Sequence, residues 1–128
     1  MPALRCFHME GIYMNHFCGS ESESFSFYRI PKVLFSEEYY NNLCCEAKLL
    51  YGFLLDRMSL SKKNGWRDSQ NRVFVIYSTK HIMKDFNCAH GKAERLLADL
   101  ERFGLLKRVR RGIGLPSMLY PLKFTSQV

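Results

Sequence analysis

Apolar residues recur along this chain with two periods, and each change of period predicts a change of element. Leu43, Ala47, Leu50, Tyr51, Leu54 and Met58 are spaced by 4, 3, 1, 3 and 4 residues. That is the stripe of an amphipathic helix, expected to end near Ser59, before the polar run Ser61-Lys62-Lys63-Asn64-Gly65. A second stripe, Ala89, Ala93, Leu96, Leu97, Leu100 and Phe103, has steps of 4, 3, 1, 3 and 3 and stops at Gly104, suited to the left-handed position after a helix. Between the stripes, Ile82 and Phe86 lie one turn apart in a short helix that Ser78 is placed to cap, and Asn87 is read as the cap of the next. Trp66 and the run Val73-Phe74-Val75-Ile76-Tyr77 bracket the turn-forming Asp68-Ser69-Gln70-Asn71, which predicts a short strand pair.

Upstream, Ser36 reads as the cap of a short turn through Glu37 and Glu38, whose charges suit a helix start. Phe25, Phe27 and Tyr28, followed by Ile30-Pro31, predict an extended segment packed on the core, because the residue before proline avoids helical geometry. Downstream of Gly104, residues 105–110 and 117–122 read as two strands about the turn Arg111-Gly112-Ile113-Gly114-Leu115-Pro116. Helix, strand pair, short helix, turn, longer helix and β-hairpin, in that order, make an α+β winged helix-turn-helix: helices, a small antiparallel sheet and a basic C-terminal hairpin as the wing. Residues 1–24 lack sustained periodicity and end in Gly19-Ser20-Glu21-Ser22-Glu23-Ser24, a flexible leader and linker. The folded domain is therefore expected over residues 25–124, with residues 125–128 as a tail.

Composition agrees with one folded unit. The 128 residues are 47% apolar, 14% aromatic and 24% charged, outside the low-hydrophobicity range of disorder. The net charge of +7 favours polyanionic partners, nucleic acid or an anionic membrane surface, without choosing between them. No apolar run approaches the ~20 residues of a membrane span, and residues 1–18 lack the core and cleavage site of a secretory signal. Five cysteines, odd in number and without a Cys-x-x-Cys spacing, fit reduced thiols, so a cytoplasmic chain is expected.

The distribution of charge singles out nucleic acid. Lys92, Arg95, Asp99 and Arg102 fall at steps of 3, 4 and 3, opposite the leucine stripe of the longer helix. In a helix-turn-helix this helix enters the major groove, so His90, Lys92, Arg95 and Arg102 are the recognition-helix candidates, and Lys80 and Lys84 on the preceding helix fall nearer phosphates. Lys107, Arg108, Arg110 and Arg111 of the wing can reach the backbone or the minor groove, while Gly112, Gly114 and Pro116 shape its turn. A basic helix face alone is usually solvated surface; clustering on two elements that the fold sets side by side is the specific signal.

Other constellations are weaker. Cys6-x-His8 and His16-x-Cys18 have spacers tighter than structural zinc sites use, so incidental thiols are the better reading and no metal is expected. Cys88 beside His90 has no partner base and reads as a small buried side chain. Gly112-x-Gly114 lacks the Gly-Lys-Ser or Gly-Lys-Thr of a phosphate loop and opens a strand rather than a helix. Glu37 and Glu38 are adjacent and point apart, with no companion nucleophile. No cofactor and no enzymatic activity are expected.

Three blocks of residues carry a resemblance: Tyr28-Arg29-Ile30-Pro31-Lys32-Val33-Leu34-Phe35, the run Ala47-Lys48-Leu49-Leu50-Tyr51-Gly52-Phe53-Leu54-Leu55-Asp56-Arg57-Met58-Ser59-Leu60-Ser61, and Lys63-Asn64-Gly65-Trp66. Lys92-Ala93, Leu96-Leu97, Leu100-Glu101, Gly104-Leu105 and Gly112-x-Gly114-x-Pro116 continue it. Over residues 27–120 the chain resembles the N-terminal domain of the replication initiator protein A family, found on plasmids and integrative elements of Gram-positive bacteria. The resemblance implies a winged-helix domain that binds repeated double-stranded DNA sequences at a replication origin, usually as a homodimer. It also implies a separate C-terminal domain that engages host replication proteins, which is read as absent from a chain ending at Val128. Many relatives have a lysine before the wing proline where this chain has Leu115, which removes one candidate phosphate contact. The rival expectations are a winged-helix transcriptional regulator and a protein-interaction module.

Overall fold

A 20-residue helix, α2 (Cys45–Asn64), is the axis on which the rest is assembled in the computed structural model, which describes residues 7–9, 12–19 and 25–124. It is preceded by α1 (Val33–Ser36) and a 3-10 turn (Glu38–Tyr40), and followed by β3 (Val75–Ile76), α3 (Thr79–Phe86), α4 (His90–Arg102), β4 (Leu106–Val109) and β5 (Met118–Pro121). The apolar stripe of α2, Ala47, Leu50, Tyr51 and Leu54, meets Ala93, Leu96, Leu97 and Leu100 of α4 in one core, joined by Ile82 of α3 and Leu119 of β5. Leu43 is buried in the same core, although it precedes the helix.

The main helix runs on to Asn64, past Ser59, where its end was expected. Ser61 is fully buried, and its hydroxyl donates to the Arg57 carbonyl at 3.1 Å, so the helix backbone absorbs the polarity that looked like a stop. Ser36 closes α1 rather than capping a turn: the bend after Pro31 starts the helix early and buries Leu34, and Glu37 is the extended residue before the 3-10 turn.

Around α3 the sequence reading is half right. Ser78 caps it as expected, its side chain accepting from the His81 N–H. Asn87, however, ends α3 instead of starting α4. It sits in the left-handed region at φ 50°, which Asn tolerates, and the Cys88 N–H reaches back to the Met83 carbonyl at 3.0 Å. Helix α4 therefore begins from an extended Ala89 with no side-chain cap. Its other end is as expected: Gly104 has φ 78°, and the Leu105 N–H closes on the Leu100 carbonyl at 2.9 Å.

The strand pair expected around residues 68–71 shrinks to one bridge, Arg67 to Val73. The Asp68 carboxylate accepts from the N–H groups of Gln70 and Arg72, doing locally what a ladder would do. Val75 and Ile76 pair elsewhere, in an antiparallel sheet of order β3-β5-β4, with Val75 opposite Leu119 and Arg108 opposite Leu119 on its other side. β5 is thus the central strand, and the β4–β5 hairpin is the wing.

The extended segment before α1 only partly packs. Phe25 and Phe27 are exposed, whereas Tyr28 stacks on Phe53 of α2 at 4.0 Å between ring centres, and Phe53 in turn meets Phe86 at 4.9 Å. Near the N-terminus, β1 (Phe7–Met9) and β2 (Ile12–Met14) form a two-stranded sheet of their own, which the missing periodicity did not foretell. Most of the expected linker (residues 20–24) and the tail (residues 125–128) lie outside the described residues.

Candidate nucleic-acid interface

Helix α4 presents Gly91, Arg95, Ala98 and Arg102 to solvent at steps of 4, 3 and 4, the face opposite its buried leucines. Two small residues alternate with two arginines on this face. Among the described residues Arg95 forms no ion pair, while Arg102 pairs with Asp99 one turn back at 2.9 Å and remains exposed. His90 is exposed in the first turn. Lys92 turns toward α2, its Nζ 2.7 Å from a carboxylate oxygen of Glu46 in the first turn of that helix. On α3, Lys80 and Lys84 are exposed one turn apart and carry no ion pair among the described residues.

The wing divides its four cations. Arg108 is only 12% exposed, with Nη1 2.8 Å from Glu94 and Nη2 3.0 Å from Glu101, two carboxylates two turns apart on α4. Burial opposes the Glu94 charge, but the bonds from Arg108 and from the Thr79 hydroxyl, at 2.9 Å, outweigh it and hold the carboxyl below its usual range. Arg108 is likewise desolvated, yet its two carboxylates raise its pKa further. The outcome is a clamp through which α3, α4 and β4 share one network. A cavity of about 160 Å³ beside it is lined by Ser78, Thr79 and Glu94 on one side and by Arg110, Pro116 and Ser117 on the other.

Lys107, Arg110 and Arg111 are exposed. The Arg111 Nε donates to the Pro116 carbonyl at 3.0 Å and the Leu115 N–H to Gly112 at 3.3 Å, which closes the wing turn. Gly112 and Gly114, at φ 123° and 82°, supply the backbone that this turn requires.

The sequence brought out the cations of three adjacent elements, and the fold does set those elements side by side, with α4 packed on both α3 and β4. Sequence reasoning missed the carboxylates that hold two of the cations. For Arg108 the signal was present in Glu94 and Glu101, seven residues apart and hence on one helical face; Glu46, which holds Lys92, lies on another helix. Cys88 packs half-buried against the core. Among the described residues no three His, Cys, Asp or Glu side chains are grouped to hold a metal ion; Cys6, one member of the Cys/His set, lies outside them. No helix of the described residues is long and apolar enough to cross a membrane.

Comparison with known proteins points the same way. A solved structure described as a Rep–DNA complex is 37% identical, with a TM-score of 0.74, covering 88% of this chain and 87% of that one. Another, described as the N-terminal domain of a DNA binding protein, is 38% identical with a TM-score of 0.73 over 88% of this chain and 86% of that one. A third, described as an MDR initiator, is 32% identical with a TM-score of 0.71 over 88% of each chain. A 41 kDa protein of Lactobacillus helveticus is 25% identical over 104 residues, 81% of this chain and 30% of that protein, so this chain spans under a third of that relative. The family model for the N-terminus of replication initiator protein A (RepA) matches residues 26–128, from the extended segment through the helix-turn-helix and past the wing, and the chain belongs to that family.

Proposed function

We infer that this domain binds double-stranded DNA sequence-specifically at repeats in a replication origin, as the DNA-binding part of a replication initiator. The observation that carries the reading is the set of exposed cations on α3, α4 and the wing, elements packed together in a winged helix-turn-helix arrangement. Arg95, with His90 and Arg102, reads base edges and their water from the major groove; Lys80, Lys84, Lys107, Arg110 and Arg111 hold the phosphates. Lys92 and Arg108 act through their carboxylate partners, fixing the start of α4 on α2 and the wing on α4.

Residues 25–124 are the binding unit, residues 1–24 a leader and residues 125–128 a tail. The domain performs no catalysis and acts in the cytoplasm. It works as a homodimer on paired half-sites, and contact with host replication proteins belongs to a separate C-terminal domain. Fluorescence anisotropy of the chain on duplexes tiled across its own gene and flanking DNA, each against a scrambled duplex over a salt series, tests this. Tight, steeply salt-dependent binding to a repeated segment supports it. Equal, weak binding to every duplex refutes sequence specificity, and binding confined to a promoter without repeats makes the chain a regulator instead.

A further inference from the structure

Granted DNA binding as proposed above, we propose that Ile113 at the wing tip is an apolar wedge that enters the minor groove, opens a base step and bends the duplex. Ile113 is 106% exposed, so no described residue covers it. Its two neighbours are Gly112 and Gly114, both at positive φ and both with open space where a Cβ would stand. Between the two glycines Ile113 is the one side chain, a shape suited to entering a minor groove about 6 Å across. It is also held ready: the Arg111–Pro116 bond and the Leu115–Gly112 bond fix the turn that carries it, and Leu115 adds a second exposed apolar side chain beside it.

Charge selects the occupant. Lys107, Arg110 and Arg111 flank the tip on the β4 side, and no acidic residue follows Glu101 in the sequence. A narrow minor groove concentrates negative potential that attracts arginine, and apolar side chains inserted from such a position partly unstack a base step. The susceptible steps are the flexible pyrimidine–purine ones, TA above all, so the wing reads deformability next to the bases that α4 reads directly.

The test uses the full chain, with end-labelled duplexes tiled from its own gene and flanking DNA read by anisotropy for binding and by energy transfer for bending. Wild type should bind and bend the preferred duplex by roughly 20–90°, the range seen for inserted side chains. Ile113→Ser should bind about tenfold more weakly, lose most of the bend and keep its salt slope, and Ile113→Phe should restore the bend. Because Ile113 contacts no core residue, the urea midpoint of both variants should match wild type, which separates the effect from misfolding. Binding without bending, or equal bending by Ile113→Ser, overturns the wedge and leaves DNA binding intact. Loss of self-association in Ile113→Ser with unchanged bending also overturns it, assigning the tip to a second copy. Failure of wild type to bind any duplex overturns both.

Discussion

Arg108 of the wing and Glu94 of α4 are joined at 2.8 Å, so the charge that looks most central in the wing faces inward. Glu101 takes the second arm of the same guanidinium at 3.0 Å. Arg108→Ala removes both bonds and leaves two partly solvated carboxylates without their shared cation. The domain should lose about 1–2 kcal/mol, the lower part of the range for bonds to charged groups because Glu94 and Glu101 keep some water. Urea unfolding measures this. The same variant, assayed where it is fully folded, should keep the wild-type salt dependence of DNA binding.

Arg110, two residues on, should behave oppositely. It is exposed and unpaired among the described residues, so Arg110→Ala should leave the urea midpoint in place and lower the salt slope by about 0.9, one phosphate contact. An unchanged slope removes Arg110 from the phosphate contacts. Arg95→Ala should instead relax preference at one base position by ~1–3 kcal/mol, seen as a narrowed gap between cognate and single-mismatch duplexes.

Gly52 is the point where the extended segment crosses α2. A Cβ there would stand 2.9 Å from Cγ1 of Ile30 and 3.1 Å from the Arg29 carbonyl oxygen, and the backbone oxygen cannot swing away. Alanine would gain about 1 kcal/mol of helix propensity and lose roughly 1–3 kcal/mol to overpacking. Gly52→Ala should therefore be destabilised or neutral, never stabilised as Gly→Ala in a helix ordinarily is. Gly91, exposed in α4 with open space around its Cβ position, is the control: Gly91→Ala should raise the urea midpoint.

The contrast between Arg108 and Arg110 explains what the sequence could and could not disclose. Helix stripes, the Ser78 cap and the Gly104 stop are local, written within one or two turns of chain, and the structure reproduces them. Strand alternation would put residues 108 and 110 on one face, but the ladder ends at Val109, so Arg110 is released from the sheet while Arg108 stays in it. Where a ladder ends is a tertiary fact. Asn87 was ambiguous for another reason: asparagine suits both an N-cap and a left-handed C-cap, and the Cys88 bond to Met83 decides. Ser61 looked like a helix terminator because burial of a serine is invisible until its neighbours are placed.

The turn at Asp68 sets the acid limit of one corner of the fold. Its carboxyl pKa is lowered to about 2, chiefly by the Arg72 N–H, against an opposing desolvation, with further help from the Arg72 guanidinium, the Tyr120 hydroxyl and the Gln70 N–H. The ordinary value for a free aspartate is about 4. The folded state thus binds this proton less readily than the unfolded one, and the stabilisation is complete above about pH 4 and drains away as pH falls toward about 2. Asp68→Asn lacks this term. Its urea midpoint should lie below that of wild type at neutral pH by a gap that stays constant down to about pH 4 and then closes as pH approaches about 2. Tyr120→Phe, which removes only the 3.0 Å bond from β5, should keep most of that acid dependence, because Arg72 and the backbone donors remain. A gap for Asp68→Asn that did not change with pH would assign its effect to the turn's geometry rather than to its charge.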